Sequence, residues 1–162
     1  MIKWSERPSE VKFLLNPAFC ARIIYATLLE YEKHTGNPIP FPLVYLILPL
    51  VLHKKTREKI NSKTAFTNWV QTNAQLIIGF EKRAKDLVPI TNEAIELLFQ
   101  TQKICMSSRG TVEINSFAKK LSKRNFVDEE VKECITKAEH VARWFAKTGK
   151  TETVYISLGV KP

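Results

Sequence analysis

The chain has 162 residues, 44% of them hydrophobic and 25% charged, and its 25 lysines and arginines against 16 acidic residues give a formal net charge of +9. This length suits a single domain with a real core, and the ordinary composition excludes disorder except at the ends. An excess of positive charge favours an anionic partner, either a nucleic acid or another polyanion. We therefore expect one basic domain over residues 1–162.

The cysteines and histidines are few and widely spaced. Cys20, Cys105 and Cys134 lie in apolar surroundings, which predicts buried free thiols in a reducing compartment. No pair of Cys or His residues has the close spacing of a structural zinc site. The longest apolar run is about half of what a bilayer-spanning helix needs and lies in mid-chain. We expect a cytoplasmic protein without a metal centre.

The N-terminal part begins with an arm and continues into a helix. Residues from about 1–15 are predicted to be extended, with apolar side chains that dock on the body: Trp4, Val11, Phe13 and Leu14. Asn16 followed by Pro17 is a helix-start signal, because asparagine caps a helix and proline suits its first turn. Gly36 is the expected residue after the helix end.

The central stretch FPLVYLILPLVLHKKTREK changes from a continuous apolar run, Leu43 to Leu52, into a basic tract at His53. A run with no polar face must be buried on all sides, so the rest of the chain has to surround it. Leucine dominates over β-branched residues, which favours a helix, kinked or broken at Pro49 and continuing to about Lys59. The alternative is a buried strand over residues 44–48.

Three further helices are predicted after the basic tract. The first carries Phe66 and Trp69 and is capped by Ser62 or Thr64. The second runs from about residue 74 to 87, with Pro89 ending it, and the third covers residues 93–102. Asp128 and the two glutamates after it open a last long helix that ends at Gly149, because acidic residues suit the positive end of a helix.

Two short segments between these helices have the pattern of a β-hairpin. Residues 103–106 and 111–114 flank a Ser-Ser-Arg-Gly turn. A series of short helices followed by a hairpin is the element order of a winged helix, here over about residues 64–115. A strand over residues 153–158 would complete its sheet. The expected fold class is mainly α with a small β-hairpin or sheet (α+β), with a winged-helix-like element as one interpretation.

No enzyme signature is present in the sequence. Five glycines leave little material for a phosphate-binding loop. His53 beside three cations could suggest phosphodiester chemistry, but no second histidine or carboxylate keeps a recognisable spacing with it. Glu93 and Glu96 lie one helical turn apart and are typical of a solvated helix face. We therefore predict no catalytic residue, no cofactor and no metal ligand.

Two basic clusters are candidate contacts for phosphates or for acidic residues of a partner. The alternative is a solvated helix end. If four residues of the first cluster neutralised DNA phosphates, log K would fall against log salt with a slope of roughly −3.6. The clusters are His53, Lys54, Lys55, Arg57, Lys59 and Lys63, and then Lys119, Lys120, Lys123 and Arg124.

Four segments of the sequence resemble a known family. They are NPAFCARIIYATLLEY, FPLVYLILPLVLHKKTRE, FEKRAKDLVPITNEAIELL and the end of the chain, ARWFAKTG with TVYISLGVKP. In their order and in the total length, the chain resembles the middle component of bacterial three-component ABC-ATPase systems, a family associated with defence against phages and other invading DNA.

The resemblance implies a non-enzymatic adaptor between an SMC-like or Rad50-like ABC ATPase and an effector subunit. It adds Arg143 and Trp144 to the candidate contacts, although Trp144 is better interpreted as a core residue. The alternative function is a winged-helix DNA-binding protein or regulator. A third hypothesis, a small nuclease using His53, is the least favoured.

Overall fold

The computed structural model describes residues 15–121 and 126–161, so the predicted arm lies outside the described residues except for Leu15. None of the helices in this part of the chain combines the length and the apolar character needed to cross a membrane. The elements in chain order are α1 Pro17–Thr35, β1 Ile39–Pro40, α2 Phe41–Val51, α3 Lys54–Lys59, α4 Phe66–Thr72, α5 Ala74–Ile77, α6 Phe80–Asp86, α7 Val88–Gln100, β2 Ile104–Met106, β3 Thr111–Ile114, α8 Glu129–Thr148 and α9 Thr151–Ser157.

The predicted fold class is confirmed, since the chain is mainly helical with one small antiparallel sheet. The predicted hairpin forms strands β2 and β3, and the third strand is β1, giving the order β1-β3-β2. Ile39 is paired with Val112 in this sheet. The prediction of a strand over residues 153–158 is wrong. Val154 and Leu158, four residues apart, are buried while Ile156 is 76% exposed, a helical and not an alternating pattern.

Helix α1 begins and ends where the sequence predicts. The Asn16 side chain accepts a hydrogen bond from the Ala18 N–H at 2.8 Å, and Pro17 occupies the first turn. Gly36 follows the helix with φ +68°, a left-handed conformation that glycine adopts without steric cost. The helix packs most extensively against α8 and α7, so it forms the centre of the helical layer.

The central apolar run is a buried helix, and the strand alternative is wrong. Helix α2 continues through Pro49, and every residue from Leu43 to Val51 except Tyr45 is buried. The helix ends at Leu52, whose N–H donates to the Leu48 carbonyl at 2.8 Å. The division between α2 and α3 therefore lies at Leu52 and His53, three residues after the proline.

Three predicted boundaries in the following region are wrong. Gly79, with φ +75°, divides the helix predicted over 74–87 into α5 and α6. Pro89 lies in the first turn of α7, where the missing N–H costs nothing, so α7 begins at Val88 and not at Glu93. Neither Ser62 nor Thr64 caps α4, whose cap position is Ala65 without a side-chain hydrogen bond.

The last long helix agrees with its prediction. The Asp128 carboxylate accepts from the Val131 N–H at 3.0 Å, and Gly149 ends α8 with φ +76°. Its inner face, including Ala138, Ala142 and Phe145, is buried against α1 and α2. Helix α8 thereby reaches both the basic tract after α2 and the loop that precedes α4.

Candidate interaction surface

The structure divides the first basic cluster into an exposed part and a buried part. Lys54, Lys55 and Lys59 project from α3 into solvent, and we call these three residues the lysine surface. Thr56 and Arg57 point inward from the same short helix. The lysine surface stays available to a partner, whereas the inward side chains are occupied by the protein itself.

Arg57 is only 1% exposed and is bound on several sides. Its Nη2 donates to Glu130 Oε1 at 2.6 Å and its Nε to Glu133 Oε2 at 3.0 Å, both on α8. Its Nη1 donates to the carbonyls of Val51 and Leu52 at the end of α2, at 3.0 and 3.2 Å. The interpretation of Arg57 as a surface contact is therefore corrected: it joins α3 to α2 and α8.

His53 also has a role within the fold. The ring Nδ1 lies 2.7 Å from the buried hydroxyl of Thr56, in the first turn of α3. Partial burial lowers the pKa of His53, and the nearby cations Arg83, Lys55 and Arg57 lower it further. A neutral ring at physiological pH follows, held against α3 by this hydrogen bond.

Lys63 and Arg143, two sequence-predicted candidates eighty residues apart, lie on one small pocket. It has a volume of about 180 Å³ between the loop 61–65 and the C-terminal half of α8. His140 and Lys147 also line it, one helical turn on either side of Arg143. We call it the basic pocket, defined by Lys63, His140, Arg143 and Lys147.

Trp144 fixes the wall of the basic pocket. Its indole Nε1 donates to the Thr64 carbonyl at 2.9 Å, which ties α8 to the loop. Its ring packs against those of Phe66 and Trp69, with centroids 5.6 and 5.0 Å away. The side chain is buried, so it is a core residue, as its apolar helix position indicates.

Arg143 is only partly free to meet a ligand. Its Nε and Nη2 bind Glu30 Oε1 at 3.1 and 3.0 Å. Glu30 is buried on α1, and burial alone would raise its pKa, but hydrogen bonds from His34 and Arg143 lower it overall. The ion pair leaves Nη1 of Arg143 unused, on a side chain that is about one-third exposed.

The second basic cluster is described only in part, because Lys123 and Arg124 lie outside the described residues. Lys119 and Lys120 are exposed, and the Lys119 carbonyl accepts a hydrogen bond from Lys103 Nζ at 2.7 Å. Neither lysine lines the basic pocket. The pocket therefore does not bring Lys119 or Lys120 together with Lys63 of the first cluster.

Two exposed apolar side chains were not predicted from the sequence. Ile78 is 79% exposed and Ile156 76% exposed, and we call these two residues the isoleucine patch. The turn before Gly79 lies against the residues that follow α9, since a Cβ at Gly159 would be 3.9 Å from Ile77 Cγ2. Ile78 is exposed because the helix breaks at Gly79, and a prediction of one continuous helix does not include this break. His140 and Lys147 were missed as well, although they share the helical face of Arg143.

The described residues contain no group of three or more His, Cys, Asp or Glu side chains that could hold a metal ion. The donors available on the basic pocket are ammonium, guanidinium, imidazole, hydroxyl and amide groups. The ammonium and guanidinium groups among them favour an anion, since lysine and arginine have donor atoms and no acceptor atoms.

Comparison with known proteins gives one match. The family model of the ABC-three component (ABC-3C) system Middle Component 3 matches residues 4–162. No curated protein and no solved structure shows a significant match. Because the model extends over nearly the whole chain, the chain belongs to the ABC-three component system Middle Component 3 family.

Proposed function

We propose that this component acts as a non-enzymatic adaptor that links an SMC-like or Rad50-like ABC ATPase to an effector subunit. The observation that carries the proposal is the extent of the family match, residues 4–162, which makes the chain as a whole a component of a three-component system. A middle component has to meet more than one partner. The chain would therefore need at least two recognition surfaces.

Two chemically different exposed surfaces support this role. The lysine surface presents three ammonium groups, and Glu58, the one acidic residue of α3, lies 3.9 Å from Lys54 Nζ. The isoleucine patch presents two large aliphatic side chains that gain free energy when a partner covers them, about 1.5–3 kcal/mol each on full burial. The first surface suits an acidic partner and the second an apolar one.

The charge of α7 argues for protein binding over DNA reading. The winged-helix alternative covers about residues 64–115, although its hairpin, β2 and β3, pairs with β1, which lies before that range. In that arrangement α7 would be the helix that enters the DNA groove. It carries Glu93 and Glu96 and no lysine or arginine, so DNA phosphates would repel it.

Co-purification tests the proposed role. The chain is expressed with the products of its neighbouring genes and recovered through a tag, and the mass of the complex is measured. We expect an ABC ATPase and a second protein in a fixed ratio. Recovery of the chain alone, combined with sequence-selective binding to duplex DNA, would instead support the regulator.

A further inference from the structure

We propose that the basic pocket binds a phosphate monoester group, with Lys63, His140, Arg143 and Lys147 around its oxygens. This site is separate from the lysine surface and the isoleucine patch. The inference does not depend on the adaptor role, because it rests on the pocket's own charge, shape and rigidity.

The charge of the pocket is the first support. No carboxylate lines it, while three cations and one histidine do. Glu30 compensates Arg143 from the α1 side, but neither Lys63 nor Lys147 has an ion pair with any described residue. A concave surface with uncompensated ammonium groups attracts an anion and holds it against competition from water.

His140 supplies a second indication. Its Nδ1 is buried and has no hydrogen-bond partner in the described part of the chain. Burial lowers the pKa of the ring, the cations Arg143 and Lys137 lower it further, and Glu139 and Glu30 oppose them. Additional negative charge in the pocket would act in the same direction as Glu139 and Glu30 and would stabilise the imidazolium form of His140.

The loop that forms the other wall is held in place. Trp144 Nε1 binds the Thr64 carbonyl, and Trp69 Nε1 binds the Lys59 carbonyl at 2.9 Å. Lys137 Nζ donates to the Ile60 carbonyl. Because these carbonyls are hydrogen-bonded to donors within the protein, the loop loses little conformational entropy when a ligand binds. The anion site is thus preorganised.

Size and charge together select the ligand class. A volume of about 180 Å³ is smaller than the roughly 300–1,000 Å³ of ordinary ligand sites, so it accepts a single group and not a whole nucleotide. A phosphate monoester has a charge of about −1.5 to −2 at neutral pH, against one for a carboxylate or a phosphodiester. The monoester therefore matches the uncompensated lysines best, whether it comes from free phosphate or from the end of a nucleic-acid strand.

The test compares matched probes on the full chain. One short single-stranded oligonucleotide is prepared with a 5′-phosphate and with a 5′-hydroxyl, and inorganic phosphate is titrated separately. The signal is the intrinsic tryptophan fluorescence of the chain, to which Trp144 in the pocket wall contributes. We expect the phosphorylated strand to bind at least about tenfold more tightly than the hydroxyl form, because the loss of one charge-assisted hydrogen bond accounts for a factor of about this size. Binding of inorganic phosphate alone would also support the pocket and would identify free phosphate as the source.

A matched pair of double variants controls for net charge. Lys63→Gln with Lys147→Gln removes the two exposed cations of the pocket, and Lys82→Gln with Lys85→Gln removes two exposed cations of α6 that do not line it. We expect about a tenfold loss for the first pair and less than about twofold for the second. Equal losses, or equal binding of both strand ends with no response to inorganic phosphate, would overturn the proposal.

Discussion

Arg57 Nε lies 3.0 Å from Glu133 Oε2, across 76 residues of sequence, and this contact turns the most buried cation of the basic tract away from solvent. Replacement by methionine keeps the apolar stem but leaves the Val51 and Leu52 carbonyls without their donor. Since Glu130 and Glu133 are partly exposed and regain water, we expect a loss of about 2–3 kcal/mol, below the roughly 3–5 kcal/mol of a fully buried broken pair. Urea unfolding of Arg57→Met measures it.

Lys55→Met is the matched control for this prediction, because Lys55 lies two residues away on the exposed side of α3. A surface substitution of this kind changes the free energy of unfolding by less than about 0.5 kcal/mol. Equal effects of the two substitutions would contradict the structural role of Arg57.

The sequence predicts those parts of the fold that depend on local signals. Asn16, Gly36, Asp128 and Gly149 mark helix ends through caps that involve only neighbouring residues, and all four boundaries are confirmed. The break at Gly79 and the pairing of β1 with β3 depend on packing between distant segments. Periodicity within one window carries no information about such packing.

The same distinction between local signals and tertiary packing applies to the candidate interaction surface. Lys54 and Arg57 belong to the same run of cations in the sequence. Arg57 differs in that it pairs with carboxylates of α8, more than seventy residues later. Lys63 and Arg143 were both predicted, but nothing local indicates that they line one pocket. The joining contact, from Trp144 to Thr64, is a tertiary one.

Thiol reactivity should distinguish Cys105 from the two other cysteines. Burial raises the pKa of Cys20 to about 12 and that of Cys134 to about 11, so neither forms the reactive thiolate at neutral pH. Cys105 is exposed on β2, so the prediction of a buried thiol is wrong for this residue. Partial burial and the Glu113 carboxylate nevertheless raise its pKa as well. We expect a thiol reagent to modify one cysteine slowly in the folded protein and all three after denaturation. Rapid modification of Cys20 or Cys134 in the native state would contradict this assignment.

The stability of the fold should fall on mild acidification. The pKa values of His53 and His140 are lowered below 6.5 in the folded state, so the unfolded chain takes up protons first as the pH falls. Their neutral forms therefore contribute stability that is present above pH 6.5 and is lost as the pH falls towards their folded pKa values. Denaturant unfolding between about pH 7.5 and pH 5.5 measures the slope.

His140→Gln and His53→Gln should each reduce that pH slope, since glutamine does not titrate. The groups around His140 that modulate the effect are Arg143, Lys137, Glu139 and Glu30. A slope that stays unchanged in the double variant would assign the pH dependence to other groups.

The isoleucine patch should matter for assembly but not for folding. Replacing Ile78 and Ile156 with aspartate places charge where an apolar partner would cover the surface. Because both side chains are about three-quarters exposed in the native fold, the substitutions should have little effect on stability. We expect the double variant to lose at least one protein of the co-purified complex, while its unfolding midpoint changes little. Val127→Asp, at a residue that is 90% exposed, is the control and should leave recovery unchanged. Full recovery with the patch variant would exclude this surface as a contact.

The lysine surface separates the adaptor from a DNA-binding protein. Replacing Lys54, Lys55 and Lys59 with glutamine removes three exposed charges without touching Arg57, so we expect weaker recovery of the partner complex at unchanged stability. Substitution of Lys82, Lys85 and Lys132, exposed cations elsewhere on the chain, controls for net charge. If the chain alone bound duplex DNA through Lys63 and the lysine surface, the salt slope would be about −3.6 and would shrink by about 2.7 in the triple variant. That pair of slopes, with normal recovery of the complex, would assign the lysine surface to phosphates and not to a protein partner. Only recovery of the chain without partners, combined with the same slopes, would favour the regulator over the adaptor.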